Sequence, residues 1–378
     1  MPGFWLILTG LALASLGLTG LAWMRDRQPD WRFQPPAPLP ENGPPRFETL
    51  FDFSVETGQA HSPAIRLNDE GFTLLWFQGS QEARADIEIH GQSFTDQGKS
   101  WQPSGAPGPV LTSKTVGDAF EPDQLVVTMG NVVQDDANRN DLFATVVSLG
   151  GWAMSSVARI TMSKDRPQHV EKLSLSPLLG RSQLVKSPMV AYADGSHGLP
   201  AYYEVNHVFS EMVRFDAHGR VRDKRRMTSG PKVIQPMVVP LDETRAIALM
   251  RNYINAMKGQ MILETGDGGR TWGERPSCGL PNPGAPVAAL NLGDGRILIA
   301  FNDDEERADL FRLAISEDEG HSWRRIHTLE DGNGDPEQAC RYPMMRALPC
   351  GDILLTYSVN SKRGVRAHLF NRAWVDVQ

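Results

Sequence analysis

One short pattern recurs three times in this 378-residue chain and constrains its fold more than any other feature. The pattern S/T-x-D-x-G-x-S/T-W is complete at 265–272 and 316–323, and the copy at 94–101 begins with Phe94 in place of Ser or Thr. Such a segment predicts a hairpin turn, because its Asp accepts backbone hydrogen bonds, its Gly supplies a positive φ and its Trp packs on a sheet. We therefore expect repeated β-hairpin units.

The spacing of the copies gives the number of units. Asp267 and Asp318 are 51 residues apart, and Asp96 precedes Asp267 by 171 residues, or three steps of 57. About 330 residues follow residue 46, enough for six units that can each form a four-stranded antiparallel sheet. The sequence thus predicts an all-β, six-bladed β-propeller over 47–378, with the strand near 47–55 completing the last blade. A β-sandwich or two stacked β domains are the alternatives.

Composition and charge exclude several other classes of protein. With 35 Gly, 27 Pro and only 22% charged residues, the chain is not a coiled coil or a disordered tail. The net charge is −7 and basic residues form no long run, so we expect no nucleic-acid partner. Neither a CxxC pair nor a calcium-loop spacing is present, so we predict no metal and no cofactor. Cys340 and Cys350 could pair across a hairpin in an oxidising compartment.

An uncharged segment precedes the repeats. Residues 4–24 contain 21 residues without a charge, which at about 1.5 Å per residue just span the ~30 Å hydrocarbon layer. No Lys or Arg precedes the segment and its apolar run is longer than that of a signal peptide. We therefore predict a single-pass N-terminal membrane anchor over 1–33. Residues 34–46 are Pro-rich and predict an extended linker that holds the propeller off the bilayer.

The turn repeats are Asp boxes, and from about residue 61 to 374 the chain resembles the bacterial sialidase (neuraminidase)-like family with BNR repeats. The motifs that accompany the boxes are His61-Ser62-Pro63, 76–86, 198–204, Gln235-Pro236, Arg251, 280–283 and Arg341-Tyr342-Pro343. The resemblance implies a six-bladed sialidase-like propeller and a glycoside hydrolase. Asp boxes lie on outer turns, away from the central axis, so they do not by themselves indicate activity.

The resemblance also implies roles for individual residues. A sialidase holds the substrate carboxylate with three arginines, attacks with a Tyr that has a Glu partner, and protonates the leaving group with a carboxylic acid. Tyr342 corresponds to the nucleophile, and Glu82, with Asp86 as second choice, to the acid/base. The residues expected around the substrate are Arg251 and Arg307, as the second and third arginines, together with Arg341, Gln235 and Glu204.

Two positions depart from the family pattern. His61 stands where the first arginine is expected, and Gln235 stands where the Glu partner of the nucleophile is expected. Because Gln235 cannot take a proton from Tyr342, either Glu204 substitutes for the missing Glu or Tyr342 is not a nucleophile. Arg66 could replace the missing guanidinium, although on an alternating strand it faces the opposite side from His61.

Three functions stay open at this point. The first is a membrane-anchored, exo-acting glycosidase on a sialic or uronic acid-containing glycan or exopolysaccharide. The second is a polysaccharide lyase that eliminates across a uronate with His61 and Tyr342, since a neutral His can act as base or acid. The third is a non-catalytic propeller that binds glycan or protein, an alternative motivated by the missing Arg and Glu.

The side of the membrane is predicted from two opposing arguments. Arg25, Arg27 and Arg32 follow the apolar segment, and the positive-inside rule read strictly would place the propeller in the cytoplasm. The glycan substrates of the resembled family lie outside the cytoplasm. On that ground we predict an extracytoplasmic propeller, in the periplasm or outside the cell.

Overall fold

The computed structural model describes residues 2–25, 29–98, 100–163, 166–175, 182–204, 208–228, 233–253, 259–276 and 279–378. Within these ranges the chain forms six antiparallel sheets, which follow one another along the sequence. The first strand, β1 (Phe47–Ser54), belongs to the last sheet.

The first three sheets, or blades, are each contributed by one continuous stretch of chain. Their strands are β2 (Gln59–Leu67), β3 (Gly71–Gly79), β4 (Glu88–Asp96) and β5 (Trp101–Leu111); β6 (Thr128–Gln134), β7 (Asp141–Val147), β8 (Ser155–Ser163) and β9 (Arg166–Lys172); then β10 (Gln183–Val185), β11 (Val190–Ala191), β12 (His197–Tyr203), β13 (Phe209–Phe215) and β14 (Val221–Arg226).

The remaining blades repeat this arrangement. Their strands are β15 (Val233–Pro240), β16 (Ala246–Asn252), β17 (Met261–Thr265) and β18 (Gly273–Arg275); β19 (Ala288–Asn291), β20 (Ile297–Asn302), β21 (Leu310–Ser316) and β22 (Arg324–Asp331); and β23 (Arg341–Ala347), β24 (Asp352–Val359) and β25 (Gly364–Asn371) with β1 outermost. The helices are α1 (Pro2–Arg25), α2 (Ser113–Asp118) and α3 (Arg372–Asp376), and 3₁₀ turns lie at Gly151–Met154, Pro336–Gln338 and Asn360–Lys362.

The blades close into a ring. The innermost strands contact one another in sequence order, from β2 through β6 to β10 and from β11 through β15 and β19 to β23, and β23 returns to β2. The two short strands β10 and β11 both pair with β12. At the closure β1 pairs antiparallel with β25, with Phe47 opposite Phe370 and Ser54 opposite Gly364. The predicted six-bladed propeller is confirmed, including its closure by the strand near 47–55. Closure leaves few unpaired strand edges.

The propeller has two distinct faces because its strands alternate in direction. The innermost strands begin on one face, and the loops that join the second strand of a blade to the third also lie there. We call this face the cup face. We call the opposite face the base. It carries the turns between first and second strands and those between third and fourth strands. The Asp boxes lie in this last set of turns, so they are on the base.

The complete Asp boxes show why the sequence pattern is needed. In the box of the fourth blade, Asp267 accepts hydrogen bonds from Thr265 Oγ1 (2.8 Å), the Thr271 backbone N–H (3.0 Å) and Thr271 Oγ1 (2.6 Å). The Gly269 N–H donates to Thr265 Oγ1, and Gly269 has a φ of 93°, a value that favours glycine. Asp318 makes the same three bonds in the fifth blade. The turn is therefore stabilised by its own side chains.

Four innermost strands are bulged where they begin. The strand register shifts between His61 and Ala64, between Met129 and Val132, between Ile234 and Met237, and between Arg341 and Met344. Within these bulges Ser62, Gln235 and Tyr342 have φ values of 53°, 51° and 56°, and a Pro follows each. A bulge redirects side chains, and positive φ at a non-glycine residue is uncommon and concentrates at functional sites.

The segment before the propeller has two parts. Within α1, Gly3–Ala22 is long and apolar enough to cross a membrane, as a membrane anchor or a signal sequence would be. Residues 29–46 lie against the base of the propeller, where Trp31 and Phe33 are buried. The predicted linker, 34–46, also contacts the propeller, because Leu39 is buried and its N–H donates to the Leu292 carbonyl oxygen at 3.2 Å. Its role as a spacer from the bilayer stays a prediction.

The two described cysteines are free and far apart. Cys340 is buried at the cup end of β23, whereas Cys350 is exposed in the base turn that follows the same strand. Seven residues of strand separate the two ends, about 23 Å, and a disulfide needs Cα atoms within about 7 Å. The pairing that the sequence left open therefore does not form. Cys278 lies outside the described residues.

Candidate active site

A cavity of about 270 Å³ opens at the centre of the cup face. Residues from five blades line it, among them Glu82, Asn131, Glu204, Gln235, Arg251, Tyr342 and Lys362. Three of these, Asn131, Gln235 and Tyr342, belong to the bulged beginnings of innermost strands. The site is thus assembled mainly from strand ends that the ring closure brings together.

Arg251 connects the polar groups of the cavity. It lies near the end of β16, and its Nη1 donates to Gln235 Oε1 and to the Tyr342 hydroxyl, both at 3.0 Å. Its Nε donates to the Gly284 carbonyl oxygen at 2.7 Å, which fixes the plane of the guanidinium. Gln235 in turn donates from Nε2 to the Tyr202 hydroxyl at 2.9 Å. The predicted Arg251, Gln235 and Tyr342 are therefore brought together in one hydrogen-bonded group.

His61 lies beside Tyr342 and is buried. The two ring centroids are 4.5 Å apart in an edge-on arrangement, and Phe77 contacts the imidazole from another side at 5.1 Å. Neither ring nitrogen has a hydrogen-bond partner in the described parts of the chain. Burial, reinforced by nearby cationic side chains, lowers the pKa of His61 well below its usual range. A neutral imidazole cannot supply the charge of the missing first arginine.

Lys186 is a site residue that the sequence reasoning missed. It is buried between β10 and β11, and its Nζ donates to the Pro343 carbonyl oxygen at 2.9 Å, 6.0 Å from the centroid of the Tyr342 ring. Burial lowers its pKa to about 7. A sequence signal was present: Lys186-Ser187-Pro188 has the same form as His61-Ser62-Pro63, a polar residue two positions before a Pro at the beginning of an innermost strand.

Arg341 adds a second guanidinium close to Arg251. It is half-buried, and in the part of the chain that the structure describes it has no hydrogen-bond or ion-pair partner. Burial, and then the charge of Arg251, lower the pKa of the Arg341 guanidinium. Two cations that repel each other without an intervening carboxylate favour the binding of an anion between them.

Two carboxylates line the cavity in different environments. Glu82 forms an ion pair with Lys362, Oε2 to Nζ at 2.7 Å, and its backbone N–H donates to the side chain of Gln59. Burial raises the pKa of Glu204, although the charge of Arg251 opposes that shift. A carboxyl group with a raised pKa retains its proton nearer to neutral pH, so Glu204 suits the role of proton donor better than the ion-paired Glu82 does.

Two predicted site residues are engaged elsewhere. Arg307 lies in a loop of the cup face, but its Nη2 is bound by Asp309 at 2.7 Å and by Asp331 at 2.9 Å. Asp86 accepts hydrogen bonds from the backbone N–H and hydroxyl of Ser80, which lower its pKa. Neither Arg307, expected as third arginine, nor Asp86, expected as alternative acid, lines the cavity.

The positions of Arg66, Tyr202 and Tyr203 show which of them belong to the site. Arg66 lies at the base end of β2, at the opposite end of the strand from His61, so it cannot replace the missing guanidinium. Tyr203 stacks on Phe209 at 4.9 Å, whereas Tyr202 is buried under the cavity. Tyr202 therefore belongs to the site and Tyr203 to blade packing.

The chain is similar to known proteins in its sequence and in its fold. Residues 70–355 match the family model of the BNR repeat-like domain. The Hadza microbial sialidase Hz136 has a similar fold, with a TM-score of 0.63 and 14% identity over 82% of this chain and 65% of that protein. A mutant of Trypanosoma rangeli sialidase displaying trans-sialidase activity gives a TM-score of 0.60 and 11% identity over 90% of this chain and 61% of that chain.

A protein of unknown function from Dyadobacter fermentans DSM 18053 is equally similar, with a TM-score of 0.63 and 13% identity over 86% of this chain and 99% of its own. No curated protein sequence matches the chain. The chain spans less than two thirds of the length of the two sialidases, and at these identities the structural likeness shows the fold alone. The family model, in contrast, matches well over half of the chain. The resemblance predicted from the Asp boxes is therefore confirmed: the chain belongs to the BNR repeat-like domain family and has the propeller fold of the sialidases.

Proposed function

We propose that the chain is a membrane-anchored, exo-acting glycoside hydrolase that acts on an acidic sugar, sialic or uronic, at the end of a glycan. The observation that carries this proposal is the 3.0 Å hydrogen bond between Arg251 and the Tyr342 hydroxyl inside an open cavity. In a sialidase-like reaction the same arrangement would place a carboxylate-binding guanidinium beside the attacking oxygen.

Charge supports an anionic substrate. Arg251, Arg341, Lys186 and Lys362 all act electrostatically on His61, and Glu82 and Glu204 are the carboxylates that line the cavity. A sugar carboxylate between Arg251 and Arg341 would relieve their repulsion and gain charge-assisted hydrogen bonds. Because the cavity is only about 270 Å³, it suits a single terminal sugar ring rather than the middle of a chain.

The chemistry would divide between three residues. The Tyr342 oxygen would attack the anomeric carbon, avoiding the repulsion that a carboxylate nucleophile would meet from an acidic sugar. Glu204 would protonate the leaving oxygen and later take a proton from the water that releases the sugar. The proton of Tyr342 needs an acceptor, since Gln235 cannot serve. The neutral His61, which packs against the Tyr342 ring, is the candidate.

The test is hydrolysis of two fluorogenic probes, a methylumbelliferyl α-sialoside and a methylumbelliferyl β-glucuronide. Tyr342→Phe and Glu204→Gln are expected to lower turnover about 10²- to 10⁴-fold while the circular dichroism spectrum stays unchanged. The matched controls are Tyr203→Phe, whose ring stacks outside the cavity, and Glu48→Gln on the exposed outer strand, which should stay within twofold of the wild type. Full turnover by Tyr342→Phe on a cleaved probe would contradict the assignment.

A lyase is the second candidate, and a specific observation favours it. His61 is neutral, has no hydrogen-bond partner on either ring nitrogen among the described residues, and lies against Tyr342. Because it is buried and does not line the cavity, it would have to turn towards C5 of a uronate to take that proton while Tyr342 protonates the leaving oxygen. Oligouronates would then yield an unsaturated product with ultraviolet absorbance. A saturated product supports the hydrolase. Binding of either probe without turnover supports a non-catalytic propeller.

A further inference from the structure

Residues 29–46, which we call the strap, run along the base of the propeller from the third blade to the sixth. Backbone hydrogen bonds hold it at several points: the Phe33 N–H donates to the Glu243 carbonyl oxygen at 2.7 Å, and the Leu39 N–H donates to that of Leu292 at 3.2 Å. The Phe33 side chain is fully buried and Trp31 is nearly so. The strap is therefore docked and not a free linker.

The base has a surface shaped for the strap. Gly268, Gly293 and Gly351 lie in base turns of three successive blades, and all have positive φ. A Cβ at these glycines would lie 1.6, 2.2 and 2.4 Å from the carbonyl oxygens of Trp31, Ala37 and Pro40, respectively. No side chain fits under the strap at any of the three turns, so its path depends on the sequence of the blades as well as on its own.

The beginning of the strap is fixed to the base of the propeller. This limits the distance between the base and the end of α1. Arg214 is fully buried between the rings of Tyr192 and Trp31, and its Nη2 donates to the Asp30 carbonyl oxygen at 2.9 Å. Five residue steps join Arg25, the last residue of α1, to Asp30. Fully extended, these steps cover at most about 18 Å.

The propeller is taller than this tether. Its innermost strands have up to nine residues, as in β2, and at about 3.3 Å per residue they separate the base from the cup face by roughly 23 to 30 Å. An inverted propeller, with its cup face against the bilayer, would raise Asp30 to that height above the end of α1. Even with the roughly 4.5 Å of helix between Ala22, where the apolar span ends, and Arg25, the total reach of about 22 Å is shorter than that height.

We infer that the cup opens away from the bilayer that holds α1, and that its substrate is an acidic glycan that is not attached to that bilayer, rather than a short lipid headgroup within it. The orientation follows from the strap, the tether length and the blade height, and it rests on the membrane anchor that the proposed function assigns to α1. The statement about the substrate also rests on the proposed glycosidase function.

Orientation is tested by energy transfer from dyes on the full chain in nanodiscs to an acceptor on lipid headgroups. The exposed native Cys350 reports on the base in a Cys278→Ser variant, and Arg84→Cys in a Cys278→Ser/Cys350→Ser background reports on the exposed rim of the cup. We expect at least twofold higher transfer from the base dye. Equal or higher transfer from the rim dye, or recovery of the chain free of the nanodiscs, would overturn the inference.

The substrate class is tested with one trisaccharide in two forms: free 3′-sialyllactose, and the ganglioside that carries the same trisaccharide in the nanodisc with the chain. We expect release of sialic acid from the free form and at least tenfold slower release from the ganglioside, with solubilisation in detergent removing the difference. Equal rates in the nanodisc would overturn the inference. If neither form is cleaved, the sialoside form of the glycosidase proposal fails, and the substrate statement for sialic acid fails with it, while the dye measurement still decides the orientation.

Discussion

Lys186 is buried below the Tyr342 bulge, and its one hydrogen bond in the described structure goes to a main-chain carbonyl oxygen, that of Pro343. Burying an ammonium group without a carboxylate partner is costly, and the pKa of about 7 reflects that cost. The hydrogen bond ties the third blade to the residue that follows Tyr342. Lys186 is therefore a positioning residue: it holds the bulge that directs Tyr342 and adds positive charge beneath an anion site.

The lowered pKa of Lys186 makes stability depend on pH in a defined window. Because the unfolded chain binds this proton up to about pH 10.5 and the folded chain releases it near 7, stability should increase between these values, by at most about 5 kcal/mol. Denaturant unfolding at pH 7, 8.5 and 10 should show this increase for the wild type and lack it for Lys186→Met. Lys114→Met removes an exposed lysine as a control. Parallel pH profiles for the wild type and Lys186→Met would show that the prediction is wrong.

The sequence predicted some site residues and not others for physical reasons. Arg251, Gln235 and Tyr342 were predicted from family motifs, and the structure brings all three together. Arg307 also fitted the family spacing, but the ion pairs with Asp309 and Asp331 depend on a loop and a strand end whose meeting no local pattern specifies. The burial that neutralises His61 likewise arises only when blades assemble around it.

Among the structural elements, the innermost strands show how the site is positioned. A Pro inside a strand cannot donate to the sheet and is found at bulges. Here Pro63, Pro236 and Pro343 each follow a residue with positive φ, and the bulges direct Gln235 and Tyr342 into the cavity. The recurrence of a polar residue one or two positions before Pro at the beginning of inner strands in four blades is thus a local signal for the site, and it includes Lys186.

The contribution of the Asp boxes to the stability of the fold can be tested by changing the pH. Although burial acts to raise it, hydrogen bonds from Ser322 and Ser316 lower the pKa of Asp318 to about 2, from 3.8 in an unperturbed side chain. Because the folded-state pKa is the lower one, the carboxylate stabilises the fold above about pH 4, and this contribution is lost as the pH falls towards 2. The free energy of unfolding of Asp318→Asn should therefore be about 1 kcal/mol lower than that of the wild type at pH 7.

The measurement is thermal unfolding of Asp318→Asn and wild type from pH 7 to pH 2.5. The difference between the two proteins should shrink as the pH falls. The control is Asp69→Asn, which lies in the turn between β2 and β3, a base turn without an Asp box. It should unfold like the wild type at every pH. A difference between Asp318→Asn and wild type that persists unchanged to pH 2.5 would rule out the carboxylate as its source.

At the scale of the whole molecule, the repeat spacing was sufficient to predict the number of blades, because each Asp box marks the same turn in its blade. The path of the strap could not be predicted in the same way. A Pro-rich segment has the same composition whether it is free or docked, and the glycines that receive it, Gly268, Gly293 and Gly351, lie more than 220 residues later in the sequence. Docking is thus a property of the assembled base.

The closing strand β1 leads to a prediction about the stability of the whole propeller. Phe51 and Phe53 of β1 pack on Trp76 of the first blade, at 5.6 and 5.1 Å between ring centroids, while β1 pairs with β25 of the last blade. Removing residues 1–55 therefore takes away the strand that links the last blade to the first and uncovers Trp76, whereas removing 1–46 keeps β1 and removes only α1 and the strap.

We expect the 56–378 chain to unfold at least about 10 °C below the 47–378 chain, since the lost aromatic packing is worth several kcal/mol and each kcal/mol shifts Tm by roughly 2 to 4 °C at this size. Scanning calorimetry measures both. A synthetic peptide of residues 47–54 should restore Tm to the 56–378 chain, and a peptide with Phe51→Ser and Phe53→Ser should not. Equal Tm values for the two chains would mean that the five remaining complete blades and the three-stranded sixth hold the ring without its closing strand.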